Sequence, residues 1–254
     1  MKVLVTLGCS MTEGQGCWGN INLYHPSNKK LATLVGSYLP RFRELGWPNI
    51  VGKRLGFDKV INLGSGGSST SGQVKMFYER DFSNYETYVI WMLTQPSRFS
   101  FYNKGAITNY QPQILNDPFS VTYLREIKDI HNDSVLEQLF YVKALRSWCD
   151  YKKYKLVICY WSSDSKNTQG LDLSSTDWLY PTPKKVYVPD DPYYKSQVCM
   201  HPNEIGYEYI ANEIVNGIQE NHPQFVIGNA KNEIEWEWDG DYKSRIKNIS
   251  NYLL

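Results

Sequence analysis

With 254 residues and a formal net charge of +1, the chain could hold one large domain or two small ones, and it has no charge excess to draw nucleic acid or an anionic membrane. No apolar run approaches the roughly 20 residues of a membrane span, and MKVLVTLGCS turns polar as a first strand would rather than as a signal peptide. Five cysteines with no C-x-x-C pair and no paired Cys/His ligand set predict reduced thiols in a cytoplasm, with no metal and no other cofactor.

In chain order, Lys2–Leu7 (KVLVTL) is the first predicted strand, ending in the small-residue turn Gly8-Cys9-Ser10-Met11-Thr12-Glu13-Gly14. A helix is predicted over Trp47–Leu55, with Pro48 in its first turn. Lys59–Leu63 (KVINL) is a second strand, and the glycine-rich turn after it leads into a helix over Thr70–Arg80. A third strand follows over Tyr88–Leu93 (YVIWML). The next predicted helix spans Ser134–Tyr151, opened by the capping box Ser134/Glu137 and carrying Leu136, Leu139, Phe140, Leu145 and Trp148 on a helical period. Lys155–Trp161 (KLVICYW) is a fourth strand. A last strongly patterned helix covers Pro202–Glu220, with Pro202 suited to its first position and Tyr207, Ile210, Ile214 and Ile218 spaced by three and four. Short continuous apolar runs alternating with helices predict an α/β fold, a three-layer α/β/α sandwich with a mostly parallel sheet.

Three stretches break the alternation. Residues 19–45, 96–131 and 162–199 are polar, aromatic or proline-rich and are expected as long loop insertions over the carboxyl edge of the sheet. Residues 1–225 are taken as the α/β domain. Residues 226–254 are taken as a C-terminal extension that packs on the domain or on a partner subunit as a homo-oligomer contact; within it, Ile234–Trp238 alternates like a half-buried strand.

The residues with chemistry to offer lie at both ends of this pattern. Ser10 follows the first strand, at the edge where α/β sheets place their ligands. His201 precedes the last helix, and a serine with a histidine is the minimum set for an activated oxygen nucleophile. A glycine-rich loop, Asn62-Leu63-Gly64-Ser65-Gly66-Gly67, can bring a backbone N–H close to a ligand, and Thr94 and Gln95 stand at the tip of the third strand. No P-loop pattern and no G-x-S-x-G elbow occurs. Arg98 suits either an anion clamp or a loop salt bridge. Cys9 is expected to point into the sheet, buried and inert.

Taken in order, these elements resemble the SGNH (GDSL-type) hydrolases, over roughly residues 2 to 220. The family's G-D-S-x-x-x-G block reads Gly8-Cys9-Ser10-Met11-Thr12-Glu13-Gly14, with cysteine in place of the aspartate. The glycine block matches best at Gly67. Gln95 stands where the family has asparagine, with Thr94 a second candidate. In the last block His201 is kept and Val198 replaces the aspartate. The resemblance implies a flavodoxin-like SGNH fold and a serine esterase with Ser10 as nucleophile and His201 as base. It implies an oxyanion hole from Ser10 N–H, Gly67 N–H and the Gln95 side chain. Asp164, Asp190 or Asp191 could replace the missing triad carboxylate, or a Ser-His dyad could work without one. An aromatic content of 15%, with 20 Tyr and 8 Trp, suits a small-molecule or glycan ester as substrate, or simply an aromatic-rich core and surface. The alternative is a catalytically silent domain of the same fold that binds a glycan, a small ligand or a protein partner.

Overall fold

The computed structural model describes residues 1–14, 17, 43–94, 99–103, 106–110, 130–160, 177–180, 186, 194–195 and 201–238, with the backbone alone for 99–103, 106–110 and 130–134. Strands β1 (Lys2–Leu7), β2 (Lys59–Asn62), β3 (Glu86–Leu93), β6 (Lys155–Tyr160) and β7 (Glu235–Trp238) form one sheet in the order β6-β3-β1-β2-β7, every pair parallel. Leu4 of β1 sits opposite Val60 on one side and Tyr88 on the other, so the central strand has no polar edge to solvate.

Side chains alternate between two cores, as a period of two requires. Leu4, Val60, Tyr88 and Ile90 face helices α2 (Trp47–Arg54) and α5 (Glu204–Asn221), where Trp47, Val51, Tyr207, Ile210, Ile214 and Ile218 are buried. Val3, Val5, Leu7, Val89 and Trp91 face helices α3 (Thr70–Tyr78) and α4 (Ile130–Lys152), which contribute Val74, Phe77, Val142 and Leu145. The fold is therefore the three-layer sandwich expected from the sequence. The chain leaves β1 for β2 on one side and reaches β3 on the other. That reversal of direction opens a crevice at the carboxyl ends of β1 and β3.

Four local expectations need correction. The Ser134/Glu137 pair does not mark the helix start, because α4 already begins at Ile130. Its inward line is Val135, Gln138, Val142, Leu145 and Cys149, while Leu136 and Phe140 are 63% and 66% exposed. Gln138 fixes this rotation: its amide donates to Thr70 Oγ1 at 3.0 Å and to the Thr94 carbonyl at 2.9 Å, so a polar residue occupies the buried stripe. Secondly, α5 starts at Glu204, not at Pro202. Asn203 is its N-cap, accepting the Gly206 N–H at 2.9 Å, which leaves Pro202 just ahead of the helix.

Thirdly, the stretch 96–131 is not all loop. β4 (Phe99–Asn103) and β5 (Ala106–Tyr110) pair antiparallel, a hairpin favoured by the β-prone FSFYN and AITNY segments on either side of Lys104-Gly105. Fourthly, within 162–199, Trp178 bridges to Ile158 and continues the sheet beyond β6. At the opposite edge, β7 is a sheet strand. Lys59 on β2, mostly buried, reaches Glu235 at 2.6 Å and Glu237 at 3.0 Å. The hydrogen bond to Glu235 holds its ammonium above the ordinary range.

His222, which ends α5, is buried and donates from Nε2 to the Trp178 carbonyl at 2.7 Å. Burial pushes its imidazole below the ordinary value of 6.5, against hydrogen bonds to Trp178 and Leu179 that act the other way. A group depressed in the fold is protonated first in the unfolded chain, so stability falls as pH drops below about 6.5 and levels off beneath the folded value. The urea midpoint should fall between pH 7.5 and 5.5, and His222→Gln should flatten that decline. An identical pH slope in the variant would contradict the assignment.

Candidate active site

The crevice at the ends of β1 and β3 is built on one tight turn. After Leu7 the chain enters a single helical turn, α1 (Ser10–Glu13), with Cys9 as N-cap and Gly14 closing it at φ +89°. The Thr12 and Glu13 amides both donate to the Cys9 carbonyl. Ser10 is the first residue of the turn, so its own N–H is left without a hydrogen bond among the described residues. Ser10 as a whole is 7% exposed.

His201 reaches Ser10 from the far end of the sequence, with Nε2 2.8 Å from Ser10 Oγ. The segment carrying it is fixed on both sides. Pro202 forms an antiparallel bridge with Lys195, the Asn203 amide donates to the Tyr194 carbonyl at 3.0 Å, and Asn203 then caps α5. One turn into α5, Tyr207 stands fully buried with its hydroxyl 3.5 Å from the Ser10 carbonyl. Burial raises the Tyr207 phenol well above its usual range, so it stays protonated and donates. The sequence pattern marks Tyr207 as core, and it does pack there. That it also ties α5 to the serine turn has no signature in its spacing.

The glycine-rich loop after β2 is bolted to the same turn. Asn62, fully buried, accepts from Thr6 Oγ1 at 3.2 Å and from the Gly64 amide at 2.8 Å, and it donates to the Thr12 carbonyl at 2.9 Å. Ser68 Oγ donates to the Gly8 carbonyl at 3.1 Å. Gly64 lies against the backbone of α1 so closely that a Cβ there would sit 2.3 Å from the Glu13 nitrogen. The next four residues form a β-turn closed by the Ser68 amide on the Ser65 carbonyl at 3.1 Å. Gly67, at φ +77°, has the backbone that the third position of a type II turn needs. Its N–H bonds to nothing among the described residues.

Behind α1 lies a pair that the sequence pattern did not single out. Glu13 and Arg43, 1% and 3% exposed, meet at 2.8 Å, and the second Glu13 oxygen accepts the Gly66 N–H at 2.6 Å. Arg43 also reaches the Gly14 carbonyl and stands 5.5 Å over the Trp238 ring. Thr94, at the tip of β3, is buried, its hydroxyl has no hydrogen-bond partner among the described residues, and its carbonyl is held by Gln138. Cys9 is fully buried, with its sulfur 4.0 Å from Ser10 Oγ. Gln95, Arg98, Asp164, Asp190, Asp191 and Val198 lie outside the described residues. A cavity of about 660 Å³ between α2 and α5, lined by Glu44, Lys53 and Glu208 among others, includes neither Ser10 nor His201. No group of three or more metal-ligating side chains forms among the described residues, and no described helix is long and apolar enough to cross a membrane.

The structure thus brings Ser10, His201 and the Gly67 loop to one edge of the sheet. Fold comparison places the chain beside a carbohydrate esterase whose active site is described as having divergent catalytic and non-catalytic binding functions. The two share 12% identity over 88% of this chain and 70% of that one, at a TM-score of 0.52. This likeness shows the fold, an α/β sandwich on a parallel sheet. Further similar structures are a G-D-S-L-family protein from Desulfitobacterium hafniense (10% identity, 85% and 99% of the two chains, TM-score 0.45) and an acetylxylan esterase from Geobacillus stearothermophilus (13%, 85% and 94%, TM-score 0.40). No protein-family model matches the sequence, and no curated protein does.

Proposed function

We propose that the chain is a serine-dependent ester hydrolase in which Ser10 is the nucleophile and His201 the base. The observation that carries this reading is the 2.8 Å contact between His201 Nε2 and Ser10 Oγ, across a sequence gap of 191 residues. At that distance a neutral imidazole can take the hydroxyl proton as the oxygen attacks. The Oγ–carbonyl bond forms, the carbonyl electrons move to its oxygen, and that oxyanion faces the Ser10 and Gly67 amides. The Gln95 side chain is the third donor by resemblance to the family. Collapse of the tetrahedral intermediate breaks the bond to the alcohol, which leaves with the proton from His201. Water, deprotonated by the same imidazole, then releases the acid and restores Ser10.

The substrate proposed is an acylated carbohydrate. The aromatic-rich composition supports this, and a structure similar to this chain, at a TM-score of 0.52, is a carbohydrate esterase. Cys9, Cys149 and Cys159 are buried free thiols, which supports a reducing, cytoplasmic setting. A second reading, a silent binding domain of the same fold, is favoured by Val198 at the position where the family carries its aspartate.

A panel of p-nitrophenyl acetate, p-nitrophenyl butyrate and acetylated mono- and oligosaccharides separates the two. The hydrolase reading expects saturable turnover, fastest on short acyl groups, with acetate released from the sugars. Folded protein that hydrolyses none of them would contradict it and favour the silent domain.

A further inference from the structure

We propose that Glu13 is a positioning residue, which, with Arg43 and Trp238, holds the loop bearing the second oxyanion donor in register with the nucleophile. This rests on the hydrolase reading above and says how that site is kept aligned. Glu13 lies on the same helical turn as Ser10, three residues on, so any motion of its carboxylate is tied to the motion of the serine. One carboxylate oxygen takes the Gly66 N–H at 2.6 Å. Gly66 is the second residue of the turn whose third residue is Gly67, and the peptide plane between them carries the Gly67 N–H. Turning that plane over converts a type II turn into a type I turn and reverses the direction of the N–H. Gly66 is the pivot for that rotation, and Glu13 holds the pivot.

The carboxylate is itself kept in place. Arg43 meets its other oxygen at 2.8 Å and reaches the Gly14 carbonyl at 3.4 Å. Trp238 of β7 stacks under the guanidinium and donates from Nε1 to the Gly64 carbonyl at 3.1 Å. The last described strand thereby supports the loop from behind, and the glycine loop is gripped at Gly64 and at Gly66 by groups that meet on Arg43. Burying an ion pair this completely is a poor way to gain stability, since desolvation offsets most of the attraction. A pair retained at this place suits alignment of two backbone segments better than it suits net stabilisation.

The test is steady-state hydrolysis of p-nitrophenyl acetate by the full chain, with kcat expressed per active site titrated by a fluorophosphonate probe. That normalisation removes any loss due merely to misfolded protein. Glu13→Ala should lower kcat per titrated site about 100-fold, the scale of one oxyanion donor, with KM within about twofold. Glu13→Gln keeps an acceptor for the Gly66 N–H and should recover roughly tenfold of that loss. Trp238→Phe, which keeps the ring and removes only the bond to Gly64, should lower kcat severalfold and carries the test if the Glu13 variants do not fold. Wild-type kcat per titrated site in whichever of these variants fold would overturn the positioning role while leaving the hydrolase reading intact. A wild-type protein that neither labels nor turns over would overturn both.

Discussion

Ser10→Ala is expected to lower ester turnover by about 10⁴-fold or more, because in the proposed mechanism it removes the atom that forms the acyl-enzyme. His201→Ala should cost a comparable factor, since at neutral pH an unassisted serine hydroxyl is a poor nucleophile. The two losses should not add. In the proposed mechanism Ser10 and His201 act as one unit across their 2.8 Å hydrogen bond, so the double variant should be about as slow as either single one. Both variants should fold, because Ser10 fills little volume and His201 is only half-buried. Initial rates on p-nitrophenyl acetate, with folding followed by circular dichroism, measure all four proteins. A Ser10→Ala variant that keeps a tenth or more of wild-type turnover would move the nucleophile elsewhere.

Gly64→Ala should bring a large loss of stability for a single added methyl. Its new Cβ would lie 2.3 Å from the Glu13 nitrogen, 2.6 Å from the Thr12 carbonyl carbon and 2.8 Å from the Glu13 Cα. These are backbone atoms of α1, itself fixed to β1 and to Asn62, so no flexible side-chain end can give way. The expected cost is about 3 kcal/mol, the upper end for overpacking, because two backbones must separate rather than one rotamer shift. The separation would also carry Gly67 away from Ser10, so turnover should fall along with stability. Gly228→Ala is the matched control, since nothing lies within 4 Å of a Cβ at that position. Its stability should stay within about 0.5 kcal/mol of wild type. Urea denaturation of the three proteins decides it, and equal midpoints for the two variants would contradict the packing described here.

Strands β1, β2, β3 and β6 were legible because each is a short apolar run with turn residues at its ends, and Lys2–Leu7 matches residue for residue. The helix α5 was legible from the spacing of Tyr207, Ile210, Ile214 and Ile218, all fully buried. Periodicity misled at α4. There a buried glutamine sits in the inward stripe and two large apolar residues point outward, because Gln138 answers two polar groups on neighbouring elements. The serine and the histidine stood out because their residue types and chain order carry a chemical meaning. The groups that support them did not. Glu13 reads as one more charge in a turn, and Arg43 lies in a stretch expected as loop; only the folded chain brings them within 2.8 Å. Asn62 ends a strand whose pattern predicts burial, yet nothing local says that its amide will join β1, the glycine loop and α1. Trp238 alternated as a strand residue should, but its bond to Gly64 depends on β7 pairing with β2 across 176 residues. Local pattern sets the elements, whereas support of the site comes from contacts between segments far apart in sequence.

The most direct measurement is labelling with a fluorophosphonate probe, read by peptide mass spectrometry, on wild type, Ser10→Ala and His201→Ala. A single adduct on Ser10 in the wild type, absent from Ser10→Ala and strongly slowed in His201→Ala, is the result expected of a serine activated by His201. Folded wild-type protein that takes up no label, or that labels equally well without His201, would contradict it.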